Sequence, residues 1–177
     1  EDTNPKVSEI EEAFSIEKVT KEFFEKYNGL NIELEEALRE IVKRDKDLKK
    51  EFESKGIDTV DFAKKLLGQI VFIYFLQKKG WLVIEMDEKG KFKEWGTGHK
   101  DFLKKLYDKK IVSYNNFFND ILEPLFYDAL AKEHDEDYHP LFKCKIPFLN
   151  GGLFEPLGGY DWTNTDILLD NKIFGKI

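Results

Sequence analysis

A mainly α fold, built as a multi-helix bundle around one central apolar helix with a loop-rich C-terminal third, is what this sequence predicts. Three observations carry that expectation. Apolar residues recur at helical spacing through most of residues 15–133. Helix starts such as Ser15 and Asp58, and stops such as Gly56 and Gly80, bracket those runs. Beyond His134 the prolines Pro140, Pro147 and Pro156 and two glycine pairs replace the periodic pattern.

Taken in order, residues 1–14 are polar and acidic and read as a loose lead-in or short helix. A first clear helix follows Ser15, with Ile16, Val19, Phe23, Phe24 and Tyr27 on one face. Asn28-Gly29 is a pair suited to left-handed backbone and predicts its end. A second helix is expected from Asn31 to Arg44, burying Leu34, Ala37, Leu38, Ile41 and Val42, and a charged third from Asp45 to Lys55. The fourth, from Asp58 or Thr59 to Lys79, widens from a stripe to a full circumference of apolar residues at Ile70–Leu76. A helix apolar all round has to be covered on every side, which makes this one the expected centre of the fold. Trp81–Ile84 reads as a short extended segment, Asp87–Gly98 as a loop, and Lys100–Asp108 as a further helix. The last helix starts near Asn115 or Asn116 and carries Phe117, Phe118, Ile121, Leu122, Leu125, Phe126 and Leu130, with a kink or restart at Pro124. Ile167, Leu168 and Leu169 form a short apolar run expected to need a partner beyond Ile177. The organisation is therefore a lead-in (1–14), a helical bundle (15–133) and a loop-rich segment (134–177).

At 177 residues the chain has the length for one well-buried core or two small subdomains. Hydrophobic residues at 41 % and charged residues at 36 % describe a globular protein rather than a disordered one. The 16 phenylalanines offer no polar handle, which points to a thick core or a docking surface. The run Ile70–Leu76 is too short to span a membrane, and Glu1–Pro5 has neither the basic start nor the apolar stretch of a signal peptide. The chain is expected to be an excised segment, since no initiator Met opens it. A single cysteine, Cys144, excludes an internal disulfide and suits a reducing, cytoplasmic setting. A net charge of −7 argues against strong autonomous nucleic-acid binding. Lys43-Arg44, Lys49-Lys50, Lys104-Lys105 and Lys109-Lys110 still offer a local basic face, or simply solvated helix surfaces.

No complete catalytic constellation is expected in this segment. Glu133–His139 holds metal-ligand residue types, but His134 and His139 are five apart on an expected loop without zinc or EF-hand spacing, so it reads as an exposed acidic loop. Asn150-Gly151-Gly152-Leu153-Phe154 is turn chemistry rather than a phosphate cradle, because no Gly-Lys-Ser/Thr ending follows; Leu153 and Phe154 are expected to plug into an apolar surface. His99 lacks a Cys or Ser partner. Asp87, Glu88 and Glu94 lack the strand framework of a metal-dependent nuclease. Neither the glycine-rich strand-to-helix turn nor the Asn-Pro-Pro-Tyr motif of an adenine methyltransferase is present.

Several segments in order resemble one known context: Phe14–Phe24, then Leu66–Trp81 with Phe-Leu-Gln-Lys-Lys-Gly-Trp, then Phe117-Phe118 with Leu125-Phe126, then Pro-Phe-Leu-Asn-Gly-Gly-Leu-Phe-Glu at 147–155. Together they look like the helical region just upstream of the catalytic domain in type IIG restriction-modification enzymes and related adenine-N6 DNA methyltransferases of phage defence. The resemblance implies a non-catalytic helical connector with no cofactor of its own. Its partners would be nuclease and methyltransferase domains of the same polypeptide, and DNA through the parent. S-adenosylmethionine, and magnesium where a nuclease is present, would belong to that parent. It makes Gly80, Trp81, Asn150, Gly151, Gly152, Leu153 and Phe154 structural motif residues, and it suggests Lys104, Lys105, Lys109 and Lys110 as contacts to DNA phosphates. The alternative is an independent helical module that binds another protein through an aromatic surface, with no nucleic acid involved.

Overall fold

The computed structural model describes residues 7–87, 89–149 and 151–176, with side chains from Thr20 onward, and the chain is mainly helical. Helix α1 spans Val7–Arg44 as one continuous element of 38 residues. The expected break at Asn28-Gly29 does not occur, and the lead-in is helical from Val7; residues 1–6 lie outside the described part. A helical glycine costs roughly 1 kcal/mol relative to alanine. Packing on both sides outweighs it, with Tyr27 and Leu30 half-buried and Leu34 and Leu38 fully buried. The pairs Glu35–Arg39 and Glu40–Arg44, each one turn apart, add small increments.

Asp45 ends α1 by leaving helical geometry and capping α2 (Lys46–Lys55), its carboxylate accepting from the amides of Asp47 and Leu48 at 2.9 and 3.0 Å. Gly56 closes α2 at φ 63°, and Asp58 caps α3 (Thr59–Lys78) in the same way through Val60 and Asp61. Along α3, Phe62, Ala63, Leu66, Leu67, Ile70 and Ile73 are buried. Phe62 meets Phe52, Phe118 and Tyr160 at ring separations of 5.5, 6.1 and 5.6 Å. The expectation that α3 is covered all round fails: Phe72, Tyr74 and Phe75 are exposed.

Past α3 the chain turns at Gly80 (φ 73°) and extends, so that Ile84 exchanges both backbone hydrogen bonds with Lys145 at 2.9 Å. The segment expected as a plain loop instead doubles back through a bridge between Met86 and Phe92. It returns to its root, where the amides of Gly96 and Gly98 donate to the Gly80 carbonyl at 3.0 and 3.2 Å. A side chain at Gly80 or Gly98 would strike the carbonyl of Gly96 or Val83, which is why glycine stands at both.

Helix α4 is short, Phe102–Tyr107. The helical segment around Pro124 keeps helical backbone angles at the proline itself. It contains two π-helical stretches, Phe118–Leu122 and Leu125–Ala129, in which Glu123 and Leu130 donate five residues back. The wider turn accommodates a proline that has no amide to give. A two-stranded antiparallel hairpin, β1 (Tyr138–His139) with β2 (Cys144–Lys145), and helix α5 (Asn171–Phe174) complete the chain. Ile167 and Leu169 need no outside partner. Both are fully buried within the chain, pinned by Asn119 and Asn116, and only Leu168 faces out.

Candidate functional site

The exposed side of α3 is the most conspicuous surface that the sequence misjudged. Phe72 and Phe75, three residues apart on a helix and hence neighbours, are 40 % and 53 % exposed. Beside them lies the turn after residue 150. Lys65 Nζ donates to the Gly152 carbonyl at 3.0 Å, and Gln69 Nε2 to the Leu153 carbonyl at 2.7 Å. The turn is thereby laced to α3, with Phe154 buried against Phe72 and Phe126. Leu153 stays exposed, so only one of the two residues expected to plug the core does so. Gly151 is near-extended and Gly152 opens a 3-10 turn; Asn150 lies outside the described residues. At the other end of α3, Gly80 carries the turn and Trp81 is half-exposed. On α1, Phe23 and Phe24 are exposed; the Phe23 ring meets Phe24 edge-on at 5.8 Å and Tyr27 at 6.0 Å.

The four lysines expected to meet phosphate cluster on α4 and the turn that follows it, each already engaged. Lys104 and Lys110 pair with Asp108 at 3.4 and 3.2 Å, and Lys105 pairs with Asp101 at 3.4 Å and hydrogen-bonds His99. Lys109 lies over the Tyr114 ring at 4.6 Å. The lysine hydrogen bonds hold Asp108 below its ordinary range. Three of the ammonium groups thus share two carboxylates and the fourth sits on an aromatic ring, leaving a weakly positive patch. Next to it is a groove of about 290 Å³ lined by Ile70, Tyr74, Leu103, Lys104, Phe117 and Phe174.

Two arrangements escaped sequence reasoning. Glu123 is fully buried, accepts a 2.6 Å hydrogen bond from the Tyr160 hydroxyl, and has its other oxygen unpartnered. Burial pushes its pKa up to about 8. It sits between Leu122 and Pro124 like any helical surface glutamate, and nothing local marks it as interior. The second is at the segment read as an exposed acidic loop. His139 is buried and the Glu136–Asp137 backbone is left-handed, folding His134 and His139 to a ring separation of 4.9 Å beside Asp128. Asp128 lies outside the segment that drew attention, back on the π-helical stretch. Among the nuclease-like carboxylates, Asp87 serves its own turn by accepting from the amides of Lys89 and Lys91.

No protein-family model, curated protein or solved structure matches this chain.

Proposed function

We propose that this chain is a non-catalytic helical connector of a DNA restriction-modification enzyme, in which the exposed aromatic side of α3 seats the methyltransferase domain of the same polypeptide. In this reading α3 is the axis of a multi-helix bundle, and residues 134–177 lead toward the methyltransferase. The parent would transfer a methyl group from S-adenosylmethionine to adenine, in the cytoplasm, with magnesium-dependent cleavage where a nuclease is attached. The observation that carries the proposal is that Phe72, Phe75 and Leu153 stay in water beside an otherwise well-filled core. Clustered apolar side chains of this kind mark surfaces that associate. The motif segments of the resemblance converge there too, since the Leu66–Trp81 helix carries the turn before Glu155.

Thiol footprinting tests it. Cys144 is buried and its thiol is pushed up to about 12 by burial, so it stays silent toward maleimides. The F75C variant is expected to label quickly in the 177-residue chain and at least tenfold more slowly in the product of the complete reading frame. An equal rate in both, or a reading frame without an Asn-Pro-Pro-Tyr motif, overturns the proposal. The acidic balance of the chain favours a second reading, in which the same face docks a separate protein and no DNA is involved. In that case F75C stays fast in the complete product and slows only when the partner is added.

A further inference from the structure

Asp128, His134 and His139 come from three different pieces of backbone: the second π-helical stretch, the loop after it, and strand β1. One donor atom from each lies within 4.8 Å of the other two. The Nε2 of His139 is 3.1 Å from Asp128 Oδ2, and the Nε2 of His134 is 3.2 Å from the Asp128 backbone carbonyl. Donors at 2.0–2.1 Å from a tetrahedral ion stand about 3.4 Å apart, so one pair is already in range. Closing the rest asks only small rotations of side chains that are part-exposed at Asp128 and His134. His139 is 3 % exposed, and its Nδ1 has no hydrogen-bond partner.

We propose that Asp128, His134 and His139 form a binding site for a divalent cation of the zinc class, with water completing the coordination. Two imidazoles and one carboxylate suit zinc, cobalt or nickel rather than calcium or magnesium, which prefer all-oxygen shells. Lys132 Nζ, 2.8 Å from Asp128 Oδ1, is the cation's competitor. A bound ion would clip the end of the π-helical segment to the hairpin. This inference stands apart from the connector reading, and neither falls with the other.

The test is titration of the tag-free 177-residue chain with Co²⁺ at pH 7.5, followed by displacement with Zn²⁺. One equivalent is expected to bind, with visible absorption of four- or five-coordinate cobalt, and excess Zn²⁺ is expected to raise Tm by roughly 5–10 °C. H134A and D128N should each weaken binding at least tenfold, while H99A and C144S leave it unchanged. K132A should tighten it severalfold by removing the competitor. Should a variant unfold, X-ray absorption of the zinc-loaded unaltered chain reads the ligands directly and should show two imidazoles. Absence of stoichiometric binding, binding indifferent to H134A and D128N, or an absorption edge without imidazole scattering overturns the site.

Discussion

Glu123 is a buried carboxyl whose ionisation works against the fold. Its carboxyl is neutral in the folded chain up to about pH 8 and ionises at about 4.5 when unfolded. The folded state therefore holds the extra proton between those values. The stabilisation is complete below pH 4.5 and lost as pH rises toward 8, with a ceiling of about 5 kcal/mol. Asp120 acts in the opposite sense. Burial works to raise its pKa, but the amides of Asn116 and Asn115 outweigh that and hold it low, so its contribution is lost on acidification instead. Urea denaturation should give a midpoint that falls between pH 5 and pH 8.5. E123Q, which mimics the neutral acid, should flatten that fall and exceed the unaltered chain by about 2–4 kcal/mol at pH 8.5. Neither Glu123 nor Asp128 was legible in the sequence. What distinguishes them is Tyr160 and His139, brought in from elsewhere along the chain.

Among the elements, the caps were the legible part. Asp58, Gly56 and Gly80 do locally what their chemistry requires, and α2 and α3 begin and end within a residue or two of expectation. Asn28-Gly29 misled because a pair that permits a stop does not impose one when apolar residues on both sides favour continuing. Gly29 sits in regular helix with open space where a side chain would be, so G29A should stabilise the chain by about 0.5–1 kcal/mol in urea denaturation. Had the break been real, the same substitution would destabilise. Pro124 is flanked on either side by five-residue hydrogen bonding, and no sequence period announces a π-helix. The apolar run of α3 marked a helix with one buried side but not its exposed one, and the more completely buried helix is the one around Pro124, because circumference is a property of the helix and coverage a property of its neighbours.

For the whole molecule, charge places a tight limit on any contact with DNA. The lysine patch around α4 retains roughly two uncompensated charges, while the chain carries −7. Surface ion pairs of this kind are weak and give way to a stronger counter-charge. The isolated chain should bind a 30-base-pair duplex only weakly at 50 mM salt, with a slope of log affinity against log salt near −2, and lose it by 200 mM. A K104A/K110A double variant should remove most of that slope. A steep slope would instead reveal a phosphate contact elsewhere. The mainly helical class was readable from periodicity alone. The convergence of turn, hairpin and helix into shared sites was not, since it depends on contacts between residues tens of positions apart.

Helix α1 is about 57 Å long at 1.5 Å per residue, and its residues Thr20–Lys26 are exposed. A helix of this kind acts on anything joined to its start as a rotary index as much as a spacer. One residue added to the exposed stretch advances the helix start by about 1.5 Å but swings it through about 100°, whereas seven restore the original heading to within about 20° while adding about 10 Å. Reach and orientation are thus coupled through the helical screw, and length in this region can change smoothly only in steps of whole turns.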